Sequence, residues 1–199
     1  MGFIVNKKEV FMKESSELFM PRREFLASVP FLILGSRRLS EPGFTRLSFP
    51  ATQELREELT PTELKRVENS VLAQDLKNYF HNGYSCSESI LMVSLKFLGK
   101  SEDLVWVASG FGGGIGHKDL CGFLTGGLMA IGLSSGKLNL GREAAKKICG
   151  QRVKEYWQWW TSNAPLHCSE IRTENRTWRV CLRLGQLASV KLEELIKSE

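Results

Sequence analysis

The chain reads as an all-α protein: a compact bundle of about five helices with a glycine-rich loop, preceded by a flexible or helical N-terminal leader. Three observations predict this. Thr60-Pro61-Thr62-Glu63 and Ser85-Cys86-Ser87-Glu88 are capping boxes, in which a hydroxyl caps a free helix N–H and a glutamate reaches back to the cap. Apolar residues then recur at spacings of three and four, as one face of a helix requires. No stretch sustains the period-two alternation of a half-buried strand.

The first helix starts at Thr60, with Pro61 preset for the first helical position. It carries Leu64, Val67, Val71, Leu72, Leu76 and Phe80 and stops at Asn82-Gly83. Ser85 caps the second, which places Cys86, Ile90, Val93 and Phe97 on one face. Ser101 caps a short helix through Val107, after which the glycines from 110 to 116 break regular structure. A further helix begins near Asp119-Leu120-Cys121 and carries Leu124, Leu128 and Ile131 as far as a loop over 132–136. A long helix over 140–160 follows, and Pro165 closes that region. The last helix, from about Thr177 to Ile196, aligns Cys181, Leu184, Ala188, Leu192 and Leu195.

The 199 residues suffice for one domain with a real core. With 42% hydrophobic and 25% charged residues, the chain reads as globular. The division is a leader over 1–39, a linker over 40–61 containing Pro42, Gly43 and Pro50, and a helical cysteine-containing domain over 62–199. Net charge is +5, of which residues 1–39 hold +3 (seven Lys/Arg against four Asp/Glu). The body is therefore close to neutral. It shows no basic stripe with interleaved aromatics, which argues against nucleic acid.

In the leader, Arg22-Arg23-Glu24-Phe25-Leu26 opens an apolar run to Gly35 that only Ser28 and Pro30 interrupt. Paired arginines before a short apolar run form the pattern of a twin-arginine export signal, implying a periplasmic or extracytoplasmic location. Arg37-Arg38 after the run and the lack of a clear small-x-small cleavage site argue the other way. The alternatives are a surface-docked hydrophobic helix or an unstructured leader, in a cytoplasmic protein. Eleven residues are too few for a stable transmembrane span.

Five cysteines, Cys86, Cys121, Cys149, Cys168 and Cys181, form no C-x-x-C pair, which excludes ferredoxin, zinc-ribbon and thioredoxin spacings. Cys86 follows a cap, Cys121 follows a helix start, and Cys168 opens a short helix at Cys168-Ser169-Glu170. The free N–H groups of a helix start favour a thiolate and lower the thiol pKa. Cys181 is expected inside a helix on its apolar face, and Cys149 as core. Plain core filling by small hydrophobes is the competing account of all five. Gly110-Phe111-Gly112-Gly113-Gly114-Ile115-Gly116 fits neither a dinucleotide fingerprint nor a P-loop. It reads as a tight loop that brings backbone close to something and delivers Cys121 to its helix. Thr125, Gly126 and Gly127 then make that helix thin enough for close approach.

Gly83-Tyr84-Ser85-Cys86-Ser87-Glu88, Phe111 to Gly116, and Cys121-Gly122-Phe123-Leu124-Thr125-Gly126-Gly127 together resemble the C_GCAxxG_C_C family. Cys168-Ser169-Glu170-Ile171 and Cys181 resemble its last two cysteines. The family is described as redox-active. The same region is similar to the N-terminal module of split-Soret cytochromes, which is associated with an iron–sulfur cluster. Their C-x-x-C-H haem motifs are missing here. The resemblance implies that Cys86, Cys121, Cys168 and Cys181 act together as ligands, with Gly113, Gly114 and Gly122 beside the cofactor. Phe123 replaces the family's small residue and is expected to crowd the site.

Four converging thiolates suit an iron–sulfur cluster of the 2Fe-2S or 4Fe-4S type, for electron transfer with a redox partner protein. Zinc in a structural site, or metal-free thiol–disulfide cycling, are the alternatives. A Cys–His nucleophile pair is the competing enzyme class, since His117 and His167 lie near Cys121 and Cys168. His167 reads instead as a loop residue without a partner. Trp157, Trp159 and Trp160 cannot all face one core, so at least one is expected to be exposed. With the dimeric split-Soret relatives, that suggests a homodimer or a docking patch there.

Overall fold

The computed structural model describes residues 55–138 and 140–197. The leader, with its twin-arginine pattern, lies outside them. The described residues form seven α-helices: α1 Pro61–Glu68, α2 Val71–His81, α3 Cys86–Leu98, α4 Gly122–Lys137, α5 Arg142–Asn163, α6 Cys168–Ile171 and α7 Trp178–Lys197. A 3-10 segment, Glu102–Phe111, and a π turn, Gly114–Lys118, fill the stretch between α3 and α4. The fold is all-α. Helix α4 is buried all round in its first half, from Gly122 to Gly127, and on one side beyond that. It packs against α3, α5, α7 and the 3-10 segment.

Both capping boxes form. Thr60 accepts from the Glu63 N–H at 3.3 Å and its own N–H donates to Glu63 at 2.9 Å. Glu63 also takes two hydrogen bonds from Arg183, at 2.5 and 3.2 Å, which ties α1 to α7. Leu55 packs on the main core and Leu59 on a smaller cluster around Val67, Ala73, Leu187 and Val190.

Three boundaries differ from the sequence expectation. The helix expected from Thr60 to His81 breaks at Asn69, and Ser70 caps α2 by accepting from the Ala73 N–H at 3.2 Å. The break is stabilised from across the bundle. Glu193 of α7 is buried (4% exposed) and accepts from Ser70 Oγ at 2.6 Å, from the Leu72 N–H at 3.0 Å and from Lys197. Burial pushes its carboxyl pKa up, but the hydrogen bonds from Lys197, Ser70 and Leu72 prevail and hold it below the usual range. A lowered carboxyl stabilises above its unfolded pKa and is lost as pH falls through the folded value. Glu193→Ala leaves two buried donors unpaired and is expected to destabilise by about 3 kcal/mol. Chemical denaturation checks it, and the deficit relative to wild type should shrink below about pH 4.

The second difference concerns the glycine loop over 132–136, which is helical: α4 continues to Lys137. Ser134 and Ser135 both donate to the Ile131 carbonyl at 2.9 Å, and Lys137 reaches the Leu98 carbonyl at 3.1 Å. Burial of Ala130, Ile131, Ser134 and Ser135 against neighbouring helices outweighs the poor helix propensity of glycine. The short helix expected to end at Val107 is a 3-10 segment reaching Phe111, held by Ser87 Oγ donating to the Ala108 carbonyl at 2.8 Å.

Candidate functional site

Cys86 and Cys121 are brought together by the contact between α3 and α4. The start of α3 is pinned twice over. Ser85 donates its N–H to Glu88 at 2.7 Å, and Ser109 donates to the other Glu88 oxygen at 2.5 Å. Gly112 lies directly on Ser85, since a Cβ there would sit 2.6 Å from the serine Cβ. Gly126 makes the helices touch: a Cβ on it would stand 2.5 Å from the Ser87 carbonyl oxygen. One turn earlier, a Cβ on Gly122 would overlap Cys86 Sγ, so this thiol rests on the residue that follows Cys121. Cys121 is the N-cap of α4.

Cys168 arrives through a short two-stranded contact. The Cys121 N–H donates to the Leu166 carbonyl at 2.9 Å and the Cys168 N–H to the Asp119 carbonyl at 2.6 Å, around an antiparallel bridge between Leu120 and His167. Asp119 and His167 add a side-chain contact of 2.7 Å between Oδ1 and Nδ1. His167 is therefore a partnered residue, because the bridge to Leu120 brings its ring beside the neighbouring Asp119. Gly114 must be glycine on two counts: its φ is +69°, and a Cβ would stand 2.7 Å from Cys168 Cβ. Gly113 also has positive φ (+63°), but its missing side chain faces open space.

Cys181 completes the group. It is the fourth residue of α7, so all four cysteines lie at the N-cap or in the first turn of a helix. Cys121, Cys168 and Cys181 are buried and Cys86 is half-buried. Cys86 is near enough for a charge on it to raise the pKa of Cys121, Cys168 and Cys181, and Cys181 likewise affects Cys121 and Cys168 affects Cys181. Cys149 stands apart. It is half-buried on α5 beside a shallow surface pocket with Gly132, Arg142 and Lys146, and it packs on the outside of the main core.

The expectation that helix starts lower these thiol pKa values is reversed for the buried members. Loss of water raises Cys121 well above the ordinary thiol value, with a further push from Cys86; the Phe123 and Leu124 N–H groups offset it only in part. Burial also raises Cys168, against the Arg172 and Lys118 cations, and lifts Cys181 to about 12. A neutral thiol is a poor nucleophile. In metal-free protein at pH 7, Cys121 and Cys181 are expected to alkylate with iodoacetamide at least about tenfold more slowly than in unfolded chain. Residue-resolved mass spectrometry checks this. The raised values also imply stability that is present below the unfolded thiol pKa and lost as pH rises towards about 12.

Phe123 does not crowd the thiols out. Its ring fills the space over Gly185, where a Cβ would stand 2.5 Å from Phe123 Cζ, and lies 5.6 Å from the Phe80 ring. Gly127 performs the same service for Tyr156, whose hydroxyl donates to the Phe123 carbonyl at 3.0 Å. Of the three clustered tryptophans, Trp160 is fully buried, Trp159 half-buried and Trp157 exposed, as the spacing requires. Sequence reading missed Asp119, Lys118 and Arg172; proximity in sequence to the glycine turn and to Cys168 was their only signal. Among the described residues no three His, Cys, Asp or Glu side chains are grouped closely enough to hold a single metal ion.

No described helix is long and apolar enough to cross a membrane. No curated protein and no solved structure gives a match to this chain. A family model described as "Putative redox-active protein (C_GCAxxG_C_C)" matches residues 84–195. That is more than half of the chain, it contains the glycine turn and Cys86, Cys121, Cys168 and Cys181, and the chain belongs to the C_GCAxxG_C_C family of redox-active proteins.

Proposed function

We propose that Cys86, Cys121, Cys168 and Cys181 hold an iron–sulfur cluster and that the protein carries electrons. The observation that supports this is that four soft sulfur donors come from four helix starts, with Gly122 against Cys86 and Gly114 against Cys168 leaving no room for a side chain there. When bound, the cluster supplies one-electron transfer at a potential set by burial and by hydrogen bonds to sulfur. The chain's own contribution is positional. The α3–α4 contact presents Cys86 and Cys121, the Asp119–Cys168 hydrogen bond presents Cys168, and α7 presents Cys181. Because burial keeps Cys121, Cys168 and Cys181 protonated, loading must displace those protons, so affinity for the cofactor rises with pH.

A cluster offers several iron atoms and accepts thiolates that are not gathered on one point, whereas zinc needs its four ligands around a single ion. The raised thiol pKa values also weigh against a nucleophilic thiol at neutral pH, in disulfide exchange as in Cys–His catalysis. Export of the folded, loaded protein through the twin-arginine pattern at Arg22-Arg23, and a homodimer or docking patch at Trp157, extend the same reading. The test is iron, zinc and acid-labile sulfide in protein purified without oxygen, with its visible spectrum. Iron and sulfide in equal amounts support the cluster. Zinc alone makes the site structural. Neither metal, with reducible disulfides among the four, makes this a thiol–disulfide protein.

A further inference from the structure

Charge around the four thiols is not evenly placed. Cys121 is walled by the α3–α4 contact, and Cys86, half-buried, lies against Gly122 and beside the 3-10 segment. On the Cys168 side a surface notch of about 420 Å³ opens, lined by Lys118, Ser169, Arg172, Thr173, Glu174 and Asn175. Two of these are cations and one is a carboxylate; the rest are neutral hydrogen-bonding groups. The notch adjoins the site through the backbone. Ser169 follows Cys168, and the Arg172 N–H donates to the Cys168 carbonyl at 2.8 Å. Lys118 ends the π turn whose Gly114 backs onto Cys168.

Lys118 carries a second signal. Its φ is +57°, a left-handed conformation that side-chain-bearing residues adopt at a cost of about 1 kcal/mol or more. Gly113, Gly114, Ile115 and Gly116 share positive φ, and Lys118 is the last left-handed residue of the turn, which fixes the direction in which its side chain leaves it. A lysine there keeps an exposed cation at the lip of the notch, opposite Arg172 on a separate segment. The nearby carboxylate of Asp119 is engaged by His167, and Arg176 is turned to the Glu170 carbonyl at 2.8 Å.

We propose that this notch is where an acidic electron-carrier protein docks, its surface carboxylates meeting Lys118 and Arg172 above Cys168. The proposal rests on the electron-transfer reading above and names the class of partner. Complementary charge raises encounter rates and sets orientation, and salt weakens it. The arrangement places contact at a surface that carries the Lys118 and Arg172 cations beside Cys168.

The test uses two one-electron oxidants of opposite charge on the reduced, as-purified protein. Hexacyanoferrate(III) takes one electron from the reduced centre and leaves as hexacyanoferrate(II); hexaammineruthenium(III) takes one and leaves as the ruthenium(II) ion. Reversing both charges, Lys118→Glu with Arg172→Glu, is expected to slow the anionic oxidant about tenfold at low salt while leaving the cationic one unchanged or faster. Lys146→Glu on α5 is the control and should change neither rate. Poly-L-glutamate should compete with the anionic oxidant in wild type and not in the double variant. Equal effects on both oxidants, or no effect, overturn the proposal. Competition by inorganic phosphate as strong as by polyglutamate overturns the protein partner and leaves a small-anion subsite. If the iron analysis is empty, the cluster reading fails by itself. The charge contrast is then taken on the thiols with dianionic 5,5′-dithiobis(2-nitrobenzoate) and dicationic cystamine. In each case a protein thiolate attacks the disulfide and expels one thiolate, and loss of the anionic preference in the double variant is again the supporting result.

Discussion

Gly126→Ala is expected to destabilise the protein by about 2–3 kcal/mol, although alanine is the better helix former by about 1 kcal/mol. The added methyl would stand 2.5 Å from the Ser87 carbonyl oxygen, 2.6 Å from Ile90 Cγ2 and 3.1 Å from Ser87 Cα. Two of those three atoms are backbone of α3, which cannot rotate away, so the helices must separate. Gly132→Ala in the same helix meets nothing within 4 Å and is expected to stabilise by up to about 1 kcal/mol. Denaturant midpoints of the two variants should therefore move in opposite directions. Equal shifts of the same sign would show that α4 does not press on α3 as described. Separation at Gly126 also loosens the seat of Cys86 on Gly122, so the destabilised variant should hold less cofactor per chain.

Cys121→Ser is expected to abolish iron and sulfide loading, whereas Cys149→Ser should retain both. The contrast follows from position. Cys121 is buried, caps α4 and lies within the electrostatic reach of Cys86 and Cys181. Cys149 is a half-buried residue on α5 with no such neighbours among the four. Oxygen is a weak replacement for a thiolate on iron, and the hydroxyl fits the same space, so the fold should survive and the loss should be specific. Metal and sulfide analysis of both variants, with far-UV circular dichroism as the check on folding, decides it. Loss of loading in both would place the cofactor elsewhere or make it depend on general stability.

Helix starts, by contrast with the site, were local matters. Thr60, Ser85, Ser101 and the Cys168 turn could be located from the chain because a cap needs only residues three positions apart. The same holds in part for the glycine turn, where Gly113, Gly114 and Gly116 take left-handed conformations that favour glycine, although Ile115 and Lys118 adopt them too. The grouping of four cysteines, not five, came from a family resemblance, and no spacing rule in the chain alone separates Cys149 from the rest.

Tertiary structure decided what depends on distant partners. The break at Asn69–Ser70 relies on Glu193, more than a hundred residues away, and the continuation of α4 through Gly132 relies on burial of its opposite face. The expected direction of the pKa shift was reversed at Cys121 and Cys168 for the same reason. A helix start lowers a thiol pKa through a few local N–H groups, whereas burial, which here is larger, is set by every element packed around the sulfur. Local capping, turn chemistry and apolar spacing are short-range and were written in the residues themselves. Desolvation and close helix contact, such as that of Gly122 with Cys86 and of Gly114 with Cys168, are long-range, and only the folded chain sets them.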